Sequence, residues 1–152
     1  MSNWLWLLFV LGTILCWGAY APTIHKGTLG FENNPWKAIL CVGGAYFVLA
    51  VVIPLIVLKY QGATMSFPKE GLIFSCVGGA LGAIGAICIV AAMKTGGSPF
   101  IVPALVFGCA PVVNIGVSTL MHAPKNPPSL WLYVGILIIA CGAGMVLYNK
   151  PS

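Results

Sequence analysis

Charge is what this sequence has least of. Of 152 residues, two are acidic and seven basic. The acids are Glu32 and Glu70, every base is a lysine, and neither aspartate nor arginine occurs. Charged residues make up 6% of the chain, against about 25% in an ordinary soluble domain. So few charges cannot cover a soluble surface, which excludes a water-soluble globular fold. No carboxylate or imidazole falls well inside an apolar run. That excludes the paired acids, Ser/His/Asp sets and metal clusters of enzyme sites, so the chain is expected to be no enzyme and to need no cofactor or metal. His25 and His122 sit in polar connections without partners of that kind. Phosphate-binding glycine loops are missing too.

The net charge of +5 would suit a nucleic-acid binder only if the lysines formed a patch. They stand singly instead, at Lys26, Lys37, Lys59, Lys69, Lys94, Lys125 and Lys150. That is the pattern of residues that mark membrane boundaries, and nucleic acid is not an expected partner. The six cysteines, Cys16, Cys41, Cys76, Cys88, Cys109 and Cys141, all lie in apolar runs and form no C-x-x-C pair. They read as small packing side chains.

What the sequence has is long uncharged runs: 1–24, 38–58, 71–93, 95–121 and 126–149. Each can span a hydrocarbon core, which takes roughly 20 apolar residues. Backbone polar groups must pair within such a segment, so the runs should be helices. The expected fold is all-α, with five transmembrane helices over about 3–24, 38–58, 71–93, 99–121 and 130–148 in one bundle that is a single unit. Trp4, Trp6, Trp36, Trp131, Tyr133 and Tyr148 stand near span ends as interfacial anchors. Ala19-Tyr20-Ala21 resembles a signal-peptide cleavage site, but Pro22 follows it, so the first span is expected to be retained. An odd number of spans puts the termini on opposite sides. Lys59, Lys69 and Lys125 then share the amino-terminal side, and Lys26, Lys37, Lys94 and Lys150 the other. That near balance selects no orientation and permits insertion both ways.

Two features concern packing. Gly71, Ser75, Gly78, Gly82 and Gly85 make one smooth face on the third span, and Gly135 and Gly142 lie seven apart on the fifth. In lipid, small faces let helix backbones approach closely. Gly78, Gly82, Gly85, Gly135 and Gly142 are the expected packing residues. Polar residues within spans point to function, because they cost free energy there. Thr13, Trp17 and Tyr20 share a face of the first span; Phe107, Pro111, Asn114 and Ser118 share one of the fourth. Thr13, Trp17, Tyr20, Asn114 and Ser118 are the expected solute contacts. The alternative for Asn114 is a hydrogen bond that ties two helices together. Pro22, Pro54, Pro103 and Pro111 are each expected to free a carbonyl four residues upstream.

The pattern resembles the drug/metabolite transporter superfamily, in particular the EamA-like five-helix unit that larger members carry twice. Trp17-Gly18 followed by Pro22 and Lys26-Gly27 is similar to the family's first helix, including its sugar-uptake branch. The stretch from Ala91 to Leu105, with Lys94-Thr95-Gly96-Gly97-Ser98-Pro99 at its centre, looks like the family's turn between helices 3 and 4. Tyr133 to Gly142 is similar to the last helix of a unit, where small multidrug members dimerise through a glycine pair. The resemblance implies half of an inverted-repeat transporter. Such a half would carry a small polar, sugar-like metabolite as a homodimer, possibly antiparallel, in a bacterial inner membrane. Two departures stand out. The first span lacks the glutamate of the small multidrug members, and His122-Ala123-Pro124-Lys125 replaces the acid that many units carry after helix 4. The alternative function is a non-transporting membrane subunit packed in a larger complex.

Overall fold

A computed structural model describes residues 4–121 and 129–149. His122, Lys125 and Lys150 therefore lie outside the described residues. Within them the chain is all-helical: α1 Leu5–Gly30, α2 Pro35–Phe47, α3 Ile53–Gln61, α4 Lys69–Lys94, α5 Ile101–Met121 and α6 Leu130–Tyr148. A π turn, Val48–Val52, joins α2 to α3 without a break. Five stretches are long and apolar enough to cross a membrane: α1, α2 through α3, α4, α5 and α6. The chain is a multi-pass membrane protein. It forms two compact units, Met1–Gly96 and Gly97–Ser152. The first holds three spans and the second two.

In the first unit, α1 outlasts its apolar run. The sequence pattern ends it at Ile24, but the helix continues through His25, Lys26 and Gly27 to Gly30. The Phe31 amide closes it by donating to the Gly27 and Thr28 carbonyls at 3.2 and 3.1 Å. Glu32 and Asn33 then turn the chain with φ of 56° and 60°, a region that asparagine enters more readily than glutamate. Asn34 starts the next span. Its Oδ1 accepts from the amides of Trp36 and Lys37 at 3.1 and 3.4 Å, and Pro35 occupies the first helical position, where its missing N–H costs nothing. The cap sets the start at Pro35 rather than at Ala38.

The π turn explains what Pro54 does. Proline offers no N–H to the carbonyl four residues back, and its ring crowds that carbonyl. The backbone widens to π geometry over the five residues just before Ile53-Pro54. The span ends at Gly62, whose φ of 61° is the left-handed conformation that glycine takes without strain. Gly62 and Ala63 donate to the carbonyls of Lys59 and Leu58 at 3.2 and 3.1 Å, a Schellman closure. Helix α4 begins after Pro68 with Glu70 in its first turn, where a negative charge suits the helix dipole. It ends where the Thr95 hydroxyl donates to the Ala91 and Ala92 carbonyls at 3.0 and 3.1 Å.

Buried residues of this unit gather at one end. Ile24, Ala38 and Val90 form the cluster, with Tyr20, Phe31, Ile39, Val42 and Met93 against it. Ala21 and Pro35 are buried beside them. The three spans are thus held together near the α1–α2 turn. Away from it their apolar side chains face outward, as lipid permits.

In the second unit, Ser98 organises the start of α5. Its carbonyl accepts from Ile101 and Val102 at 3.1 and 3.0 Å, and its Oγ accepts from Phe100 at 3.2 Å. Pro103 is the third residue of α5; the Val102 amide before it already donates to the Ser98 carbonyl four residues back, and the proline, lacking an N–H, offers none to Pro99. Pro111 does lie inside the helix. Ser129 caps α6 by accepting from the Trp131 amide at 3.1 Å. The two helices pack closely where Gly108 meets Ala143, which is buried.

Candidate functional site

The first unit contains a cleft of about 430 Å³ between α1 and α2. Its α1 wall carries Cys16, Tyr20, Thr23 and Gly27, spaced four, three and four residues apart along one helical face. Ala38, Cys41 and Val42 form the α2 wall, and Phe31 of the connecting turn closes the end. The volume is in the range of small-molecule sites, which also combine apolar walls with few polar groups.

Two hydroxyls supply the polarity. The Tyr20 phenolic oxygen is buried and has no hydrogen-bond partner among the described residues. A buried polar atom left unpaired costs about 1–3 kcal/mol, and in a bilayer core no water is at hand to pair it. Thr23, three residues on, lines the same wall. The contrast with the neighbouring threonines is informative. Thr13 and Thr28 donate back to the Phe9 and Ile24 carbonyls at 3.0 and 2.9 Å. Their donors are spent within the helix.

The residues expected from the sequence fall as follows. Tyr20 lines the cleft. Trp17 is not part of that lining, and its side chain is 54% exposed. Thr13 is exposed and tied to its own helix. Asn114 and Ser118 are exposed on α5 of the second unit. Thr23, Cys16 and Cys41 are among the lining residues that the sequence reading misses.

The five glycines expected to pack are open within their own units. A Cβ built on Gly78, Gly82, Gly85, Gly135 or Gly142 would meet no atom within 4 Å. The close approach that the structure holds is at Gly108, where such a Cβ would lie 2.9 Å from the Ala143 Cβ. Among the described residues no group of three or more His, Cys, Asp or Glu side chains could hold a metal. No protein family, characterised protein or solved structure matches the chain.

Proposed function

We propose that the chain is one half of a small-metabolite transporter of the drug/metabolite transporter type. It works as a homodimer in a cell membrane of the bacterial inner-membrane kind. The observation that carries this reading is the open cleft beside a membrane span with Tyr20 and Thr23 on its α1 wall; the Tyr20 hydroxyl, buried and unpaired, would turn into the cleft to meet a solute. A solute hydroxyl or carbonyl would satisfy it. The Tyr20 and Phe31 rings would cover an apolar ring face, and Thr23 would orient a second polar atom. A sugar-sized, partly polar metabolite matches that set. Its remaining hydroxyls would be met by the second copy, since sites in inverted-repeat transporters lie between two repeats. The open glycine face of α4 is available for that copy. The even spread of lysines about the spans permits an antiparallel pair.

The cysteines allow a direct test. Cys16 and Cys41 line the cleft, whereas Cys76, Cys88, Cys109 and Cys141 do not. With those four replaced by alanine, a membrane-impermeant thiol reagent should modify Cys16 or Cys41 in proteoliposomes. A transported sugar should slow the reaction. A cleft filled by lipid, as in a purely structural subunit, would leave both thiols unmodified with or without sugar.

A further inference from the structure

We infer that the end of the first unit near the α1–α2 turn binds one anionic phospholipid, with its phosphate between His25, Asn33 and Lys94 and an acyl chain along Trp36, Ile39 and Ile87. The site stands apart from the Tyr20 cleft and does not depend on transport.

Two hollows meet there. One, of about 290 Å³, is lined by His25 and Thr28 of α1, Asn33 of the turn, and Val90, Met93 and Lys94 of α4. The other, of about 200 Å³, runs beside it, lined by Trp36 and Ile39 of α2 and Ile87 and Ala91 of α4, among others. Val90 and Lys94 line both. They are four residues apart on α4, so one helical face forms the shared wall. The first hollow carries most of the polar groups and the second is mostly apolar, and their shared wall ends in an ammonium group. That is the layout of a lipid headgroup and chain at a membrane boundary.

The sign of the charge decides which lipid. Three lysines, Lys26, Lys37 and Lys94, stand at this end of the unit against one carboxylate, Glu32, and Glu32 is not part of either lining. Among the described residues, no ion pair or side-chain hydrogen bond occupies Lys94, His25 or the Asn33 amide. Each can donate to phosphate oxygens.

The carboxyl ends of α1 and α4 also point here, and bare carbonyls would repel an anion. They are partly covered: the Phe31 amide takes the Gly27 and Thr28 carbonyls, and the Thr95 hydroxyl takes those of Ala91 and Ala92, so the lysines have only the remaining carbonyls to outweigh. The Thr28 hydroxyl already donates to the Ile24 carbonyl at 2.9 Å. It is left as an acceptor, which suits the free hydroxyls of a glycerol headgroup. Phosphatidylglycerol meets every one of these requirements.

The test uses the whole purified chain, titrated with phosphatidylglycerol or phosphatidylcholine in neutral detergent. Native mass spectrometry counts bound lipid, and thermal unfolding reads the linked stabilisation. One phosphatidylglycerol should bind in preference to phosphatidylcholine. Lys94→Gln should weaken it by about tenfold or more, as loss of a charged hydrogen bond does, and Lys94→Arg should restore most of the loss. Lys59→Gln, at the other end of the unit, should change nothing. Trp36→Ala should weaken the long-chain lipid and spare a short-chain one. Equal binding of the two lipids would overturn the site. So would an equal loss in the Lys59 and Lys94 variants, which is general surface attraction. Displacement by inorganic phosphate alone would assign the hollow to a free anion and overturn the lipid. Should Lys94→Gln not fold, His25→Gln and Asn33→Ala carry the same comparison.

Discussion

Gly108 of α5 faces Ala143 of α6 so closely that a Cβ added to the glycine would lie 2.9 Å from the alanine Cβ. Real side-chain carbons do not approach to that distance, so the two helices would have to separate. Gly108→Ala is expected to destabilise the protein. Overpacking costs about 1–3 kcal/mol, and the helix propensity gained by losing a glycine returns about 0.5–1 kcal/mol. The reciprocal change, Gly108→Ala with Ala143→Gly, should recover most of the loss. Thermal unfolding of the four corners of this double-mutant cycle measures the coupling; a coupling near zero would place the two residues apart.

The α4 stripe should behave in the opposite way. Gly78, Gly82 and Gly85 have no neighbour within 4 Å, so a larger residue meets nothing within the chain. Gly82→Leu is expected to leave the monomer folded and to weaken the homodimer. Light scattering of the detergent-solubilised protein with matched thermal melts separates these effects. A monomer that unfolds, or a dimer that survives, counts against the stripe as the dimer face.

Topology is open to reporter fusions. Five spans put Ser2 and Thr64 on one side and Ser152 on the other in any one molecule. A dual-inserting chain gives mixed signals at all three sites. Adding two lysines to the loop between Gly62 and Pro68 should drive a single orientation and abolish activity if the pair is antiparallel. Activity that persists in a single-orientation population would make the dimer parallel.

Solute binding should be nearly flat with pH. The cleft lining includes neither imidazole, whose ordinary pKa falls inside the interval below, nor carboxylate, whose ordinary pKa lies just under it. Affinity is expected to change less than about twofold between about pH 5.5 and 7.5. A tenfold change over that interval, by equilibrium binding in buffered detergent, would mean that a titrating group outside the cleft controls the site.

The spans were legible because charge marks their limits, and the fifth, over 130–148, agrees with α6 residue for residue. Helix ends were less so. His25 to Gly30, apart from Leu29, are polar or small yet helical, since a helix continues past its apolar run until something caps it, here the Phe31 amide. Asn34-Pro35 did carry a start signal, a capping side chain followed by proline at the first helical position. Of the five expected solute contacts only Tyr20 lines the cleft, and Asn114 and Ser118 stand on α5 of the second unit. The face Thr13–Trp17–Tyr20 and the cleft wall Cys16–Tyr20–Thr23 share Tyr20. Helical periodicity says which residues are neighbours but not which face meets α2. Gly108 gave no signal, because its partner Ala143 lies on another helix far along the chain. The π turn was half legible: Pro54 announces a disturbance, but its form depends on how the preceding carbonyls are relieved.

The central claim is that solute crosses the membrane against Tyr20. Proteoliposome swelling in a panel of sugars and polyols, by stopped-flow light scattering, tests it most directly. Wild-type protein should admit at least one sugar faster than empty liposomes do. Tyr20→Phe should lose up to about tenfold in apparent affinity, the worth of one hydrogen bond, while its melting temperature holds or rises as the unpaired hydroxyl disappears. Thr23→Val should change the preference among sugars. Wild-type uptake and selectivity in both variants, or no uptake above empty liposomes by the wild type for any solute, would contradict the account.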